Sequence, residues 1–120
     1  MIVAAGVAAT EIRLDRAARI LHVTFDDGSA VALAAEYLRV ESPSAEVQGH
    51  GRDSKKTVGG KQGVGITAVE PVGNYAVRLV FDDGHDTGIF TWNYLFELGH
   101  DHESRWAGYL AALAAKGLTR

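Results

Sequence analysis

An α+β fold is what this sequence predicts, with a small antiparallel sheet built from two Asp-Gly hairpins and packed against C-terminal helices. Three observations carry that expectation. Phe25-Asp26-Asp27-Gly28 leads after a short run to Tyr37-Leu38, and Phe81-Asp82-Asp83-Gly84 leads likewise to Tyr94-Leu95. Each Asp-Gly lies between apolar alternating runs, a strong hairpin signal, because a tight turn needs the positive φ that Gly adopts without steric cost. Beyond Asp101 the apolar residues switch to helical spacing.

The elements follow in order. Met1 to Ala9 is apolar, lacks basic residues before it and is far shorter than the roughly 20 residues of a membrane span, so residues 1–10 are expected to be a disordered tail. Residues 11–117 are expected to form one domain. Ile12, Leu14, Ile20, Val23 and Phe25 fit strands, and Val31 and Leu33 continue the alternation after the Gly28 turn. Glu36 to Val40 reads as a short helical turn. From Glu41 to Gly65 the periodicity vanishes, which predicts a long connection with a mobile Gly-rich loop at 48–65. Ile66 to Glu70 reads as a strand and Pro71 to Asn74 as a turn. Tyr75, Val77, Leu79 and Phe81 share one face of the best strand in the chain. Thr91 is placed to cap a helix carrying Trp92, Leu95 and Phe96, closed by Gly99. Asp101 is expected to cap the last helix, where Trp106, Leu110 and Leu113, widened by Tyr109, form a stripe expected to lie on the sheet, before Gly117 ends it.

Composition narrows the chemistry. The chain of 120 residues contains no cysteine, which excludes disulfides, thiolate zinc sites, cysteine-held iron–sulfur clusters and cysteine nucleophiles within it. A net charge of −3 argues against a broad nucleic-acid footprint. The expected compartment is the cytoplasm, with neither nucleic acid nor membrane as partner.

The motifs that invite catalysis have cheaper explanations. Gly60-Lys61 is followed by Gln62 where a P-loop needs Ser or Thr, and Lys55 stands where its first Gly should be. Gly63-Val64-Gly65 meets Ala68 at the third glycine position of a dinucleotide fingerprint. His100-Asp101-His102 reads as a cap flanked by solvated rings, and no histidine is followed two places on by the carboxylate that an iron facial triad requires. Ser29, Ser42, Ser44, Ser54 and Ser104 lack a nucleophile elbow. Asp26-Asp27 and Asp82-Asp83 are turn residues before they are paired acids.

Tyr37-Leu38-Arg39-Val40-Glu41-Ser42-Pro43-Ser44, with Glu70-Pro71-Val72-Gly73-Asn74-Tyr75-Ala76 and Asp83-Gly84-His85-Asp86-Thr87-Gly88-Ile89-Phe90, resembles the gamma-butyrobetaine hydroxylase-like N-terminal domain family, a domain of unknown function, over Thr10 to Ala115. In the namesake hydroxylase such a domain precedes a 2-oxoglutarate and iron(II) oxygenase domain and carries a structural zinc. The resemblance implies zinc ligands at three cysteines and a histidine. Here those positions hold Ser42, Ser44, Val47 and His85, and hydroxyls with a valine cannot close a tetrahedral zinc site. No metal and no other cofactor is therefore expected, and hydroxyl hydrogen bonds from Ser42 or Ser44 toward His85 are expected in its place.

The function read from the sequence is a stand-alone, non-catalytic binding or protein-interaction module whose partner is another protein. The surface expected to carry it comprises Arg39, His85, Asp86 and Trp92. Two rivals stand beside it. The resemblance implies, through related domains fused to iron–sulfur cluster carriers, an accessory to metal or cluster handling, and a separate reading is an enzyme or metal protein working through His85 with other groups brought together only in the fold.

Overall fold

The structure, a computed structural model, describes residues 7–49 and 55–120. Part of the expected mobile loop and most of the expected tail lie outside the described residues. β1 (Ala9–Asp15), β2 (Ile20–Phe25) and β3 (Ala30–Ala34) form one antiparallel sheet, followed by α1 (Ala35–Val40) and α2 (Ala45–Gln48). β4 (Ile66–Val72), β5 (Ala76–Phe81) and β6 (Ile89–Thr91) form a second, followed by α3 (Trp92–His100) and α4 (His102–Ala115). There are thus two three-stranded sheets, each a meander with its middle strand central, where the sequence suggested one.

The two meanders repeat each other in detail. In each, the first strand carries an irregularity opposite the Phe of Phe-Asp-Asp-Gly: the register shifts between Ala9 and Glu11 facing Phe25, and between Ile66 and Ala68 facing Phe81. The threonine at each shift donates its hydroxyl across the pair, Thr10 to the Thr24 carbonyl and Thr67 to the Val80 carbonyl, both at 3.2 Å. Such a bulge twists its strand and ends regular pairing there. The turns match as well. Gly28 N–H reaches the Phe25 carbonyl while Phe25 N–H reaches Ser29, and Gly84, Phe81 and His85 do the same. The left-handed residue is Gly28 at φ +88° in one and Gly84 at φ +93° in the other, as a three-residue hairpin loop requires.

Burial selects one face of each central strand. Leu21, Val23 and Phe25 from β2 and Val77, Leu79 and Phe81 from β5 share a core with Leu33, Tyr37, Leu38, Leu95 and Leu98. Both sheets and both post-sheet helices therefore contribute to one interior.

Several expectations need correction. β1 begins at Ala9, inside the expected tail. β4 runs through Pro71 to Val72; an edge strand tolerates the missing N–H of proline, and the left-handed residue of the turn is Gly73. Tyr75 precedes β5 and is exposed rather than facing inward with Val77. Ser44 starts α2 by accepting the Glu46 N–H, so the connection after α1 is not wholly irregular.

Gly99 lies inside α3 and does not close it. Asp101 alone separates α3 from α4; at φ −97°, ψ 13° it lacks the extended backbone of a cap and makes no side-chain cap bond. Leu110 is exposed, so the stripe of α4 is Trp106, Tyr109 and Leu113. It packs on Val40 at the end of α1 and on Val58 instead of on a sheet. No helix among the described residues is long and apolar enough to cross a membrane.

Candidate functional site

α1 delivers the chain at Glu41 to the outside of the second hairpin, and there the polar residues gather. Ser42 Oγ lies 2.9 Å from His85 Nε2, and His85 Nδ1 lies 3.2 Å from Glu46 Oε1. An ionised carboxylate only accepts, so Nδ1 carries the hydrogen and Nε2 accepts from the Ser42 hydroxyl. Ser42 Oγ also accepts the Ser44 N–H, and Ser44 Oγ meets Thr87 Oγ1 at 2.6 Å. Thr87 in turn donates to Glu46 Oε2, and Gln48 Nε2 donates to the Ser42 carbonyl. The hydroxyl contact expected between Ser42 and His85 is present, and Ser44 turns to Thr87.

A second polar group stands beside this one. Asp83 accepts the His85 N–H at 3.0 Å with one oxygen, and Arg39 Nε at 2.8 Å and Lys61 Nζ at 2.6 Å with the other. Burial pulls the Asp83 carboxyl upward, but the bonds from Lys61, the His85 amide and Arg39 outweigh it and hold it well below the usual carboxylate range. Asp83 is thus both a turn residue and the anchor for two cations from outside its hairpin. Read as a turn residue alone, it hides this second role in the sequence.

Ser42, His85 and Glu46 have the order of a hydrolytic triad, yet the arrangement faces the wrong way. Ser42 is fully buried and His85 is 5% exposed, whereas the Glu46 side chain is 61% exposed. A nucleophile has to meet its substrate. A Cβ on Gly88 would overlap Ser42 Oγ, so the Gly88 backbone closes over the hydroxyl. The geometry ties the segment after α1 to the second hairpin.

The zinc implied by the resemblance does not fit these residues. Ser42 and Ser44 both spend their hydroxyls on protein partners, and Val47 is a buried aliphatic side chain. Among the described residues no three His, Asp or Glu side chains are grouped as metal ligands.

Burial, and next the positive charge of Arg39, push the His85 imidazole below its ordinary value of 6.5, against the opposing pull of Glu46. The unfolded chain therefore binds the proton more readily than the folded one. Stability contributed by neutral His85 is present above pH 6.5 and is lost as pH falls through that value toward the lower folded one. Thermal melts between pH 7.5 and 5.5 should show the melting temperature falling with acid in the natural chain and falling less in His85→Gln. Equal slopes would remove His85 as the cause.

The four residues expected to share a surface do not converge. Arg39 and His85 meet through Asp83. Asp86 is on the same hairpin but pairs with Arg78 at 3.4 Å. Trp92 starts α3, donates its indole N–H to the Asn74 carbonyl and lines a separate groove of about 420 Å³ with Ile12 and Leu14 of β1 and Val69 and Pro71 of β4. Sequence reasoning missed Glu46, Thr87 and Lys61. Glu46 alone had a local signal, two residues beyond a serine that starts a helix.

The comparisons agree with this architecture. The family model for gamma-butyrobetaine hydroxylase-like, N-terminal domains matches residues 12–96. One protein solved by NMR in solution is 48% identical with a TM-score of 0.81, covering 94% of this chain and 89% of its own. A second NMR structure is 45% identical with a TM-score of 0.85, covering 100% of this chain and 90% of its own. A crystal structure of a DUF971-family protein of unknown function from Acidithiobacillus ferrooxidans ATCC 23270 is 43% identical with a TM-score of 0.65, covering 77% of this chain and 92% of its own. No curated protein matches. With its two meanders and their helices accounted for by these relatives, the chain belongs to the gamma-butyrobetaine hydroxylase-like N-terminal domain family.

Proposed function

We propose that this chain is a non-catalytic protein-interaction module, and that the groove over Trp92 receives an extended apolar segment of a partner protein. The observation that supports it most is a contrast. Ser42 and His85 are sealed, Ser42 completely, while Ile12, Leu14 and Val69 of two edge strands are only partly buried and line the groove.

β1 and β4 each stand at the end of their sheet's strand order, and both line the groove. A strand edge offers main-chain hydrogen bonds, and alternating apolar side chains offer pockets, which together suit an added extended segment. Tyr75, 54% exposed, extends the apolar surface beside Trp92. Arg16 also lines the groove and donates to the Thr67 carbonyl of β4, bridging the two sheets.

The test is a photo-crosslinking amino acid placed at Tyr75 in the native cell, with Glu103 on α4 as the control position. A discrete adduct at Tyr75 that is absent at Glu103 and lost in Val69→Arg is the expected result. Identical adducts at both positions would overturn the reading. Stoichiometric iron or zinc in protein purified without an affinity tag would replace it with the metal-handling rival.

A further inference from the structure

The hydrogen bonds of the two meanders fix which way each edge strand turns its main chain. In the first sheet Phe25 N–H donates to the Ser29 carbonyl and Ala35 N–H to the Arg19 carbonyl, so the odd-numbered residues of β2 face β3. Asp26 N–H donates to the Ala8 carbonyl, so the even-numbered ones face β1. Thr24, His22 and Ile20 are therefore bonded to Glu11, Arg13 and Asp15. Ile12 and Leu14 alternate with these and turn their N–H and C=O groups away from the sheet.

The second sheet obeys the same count. Phe81 N–H donates to the His85 carbonyl and Trp92 N–H to the Tyr75 carbonyl, while Asp82 N–H donates to the Gly65 carbonyl. Glu70 and Val72 thus face β5, opposite Arg78 and Ala76, and Val69 and Pro71 face outward. The Thr67 carbonyl faces outward as well, since it accepts from Arg16 of the other sheet.

Two edges that are not paired with each other therefore bound the groove, and they differ. β4 lacks a donor at Pro71 and has committed the Thr67 carbonyl. β1 keeps the donors and acceptors of both Ile12 and Leu14, with no backbone partner for them among the described residues.

The side chains of β1 agree with its edge. Ile12 and Leu14 line the groove with Val69, Val77 and Trp92, so a strand added on β1 sets alternate side chains against that apolar wall. The intervening side chains lie beside Glu11 and Arg13, which are exposed and make no ion pair among the described residues. Opposite charges across an antiparallel pair are favourable and like charges are not.

We propose that the partner segment adds to β1, and not to β4, as a fourth antiparallel strand of the first sheet, reading apolar, acidic, apolar, basic in chain order opposite Leu14, Arg13, Ile12 and Glu11. The inference rests on the Trp92 groove being the partner surface. The two apolar residues exchange main-chain bonds with Leu14 and Ile12 and turn into the groove, while the acid meets Arg13 and the base meets Glu11.

The probe is the end-capped peptide Thr-Val-Glu-Val-Lys-Val-Thr, titrated into the full chain while amide exchange is followed by NMR. Slowed exchange at the Ile12 and Leu14 N–H groups, with none at Val69, is the expected result. N-methylation of the two valines that flank the glutamate removes the donors facing β1 and should weaken binding at least about tenfold, whereas N-methylation of the glutamate and lysine should cost little. Exchanging the glutamate and lysine puts like charges opposite Arg13 and Glu11 and should weaken binding about threefold. Protection at Val69 in place of Ile12 and Leu14, or equal binding by the two methylated peptides, would overturn the edge assignment and leave the groove as the partner surface. Equal binding by the charge-exchanged peptide would overturn the residue order. Slowed exchange at Ile12 and Leu14 on concentrating the chain alone would give the edge to a second copy and overturn it too. A peptide that leaves every groove amide unchanged would overturn both this inference and the reading beneath it.

Discussion

Gly99→Ala should lower the melting temperature markedly, although alanine is the better helix former. A Cβ at position 99 would overlap Val31 Cγ1 and stand 2.9 Å from Val31 Cβ. The nearer atom could rotate away, but the second is the branch point of a side chain fixed to β3 and cannot move without its strand. α3 therefore approaches the first sheet as closely as a bare backbone permits. Overpacking of this kind costs about 1–3 kcal/mol or more, against a propensity gain of at most ~1 kcal/mol. The matched control is Gly108→Ala on α4, where the new Cβ meets nothing and propensity alone acts. The same substitution should thus destabilise at one glycine and stabilise by up to about 1 kcal/mol at the other. Urea unfolding followed by tryptophan fluorescence measures both. A neutral or stabilising Gly99→Ala would mean that α3 does not ride on Val31.

The contrast between these glycines shows what the sequence carries and what it withholds. Gly99 looks like a helix terminator because glycine often is one, and only the neighbour across the gap reveals a packing role. The hairpins were legible because Asp-Gly acts within four residues, and the repeat of Phe-Asp-Asp-Gly and Tyr-Leu was visible as text. The division into two sheets was not, since strand alternation reports which residues face inward and not which strands pair. Leu110 and Tyr109 reverse their expected roles for a similar reason: the α4 stripe depends on what covers it, and Val40 with Val58 replaces the sheet. At the polar cluster His85 and Ser42 were identifiable from the resemblance. Glu46, Thr87 and Lys61 meet their partners there across 22 or more residues of chain, where no spacing rule reaches.

Tyr37→Phe together with Tyr94→Phe should be the most damaging pair of single-atom deletions in the protein. Tyr37 donates its hydroxyl to the Leu98 carbonyl at 2.7 Å, and Tyr94 donates to the Glu41 carbonyl. Each tyrosine is the third residue of the helix that follows its sheet, and each acceptor lies four residues beyond the other tyrosine. The repeated Tyr-Leu is therefore a reciprocal clasp, in which each half satisfies a carbonyl at the helix end of the other. Burial pushes the Tyr94 hydroxyl up to about 12, with the Glu41 charge adding to it, and pushes Tyr37 further in the same direction, so both stay protonated donors at any ordinary pH. Removing a hydroxyl leaves its carbonyl without that donor, at about 1–3 kcal/mol each. The rings remain, so the aromatic ring at position 37 should still pack on Trp106 and no cavity opens beyond one oxygen. Both bonds join the same two bodies, and the shared core keeps those bodies docked when one bond is lost. The second deletion should then cost nearly its full amount, giving roughly 2–6 kcal/mol for the pair with an unchanged urea m-value. A combined loss under about 0.5 kcal/mol, the scale of an ordinary surface change, would show that the clasp contributes nothing. A falling m-value or a second transition would instead show the two halves unfolding apart, which contradicts a single shared interior.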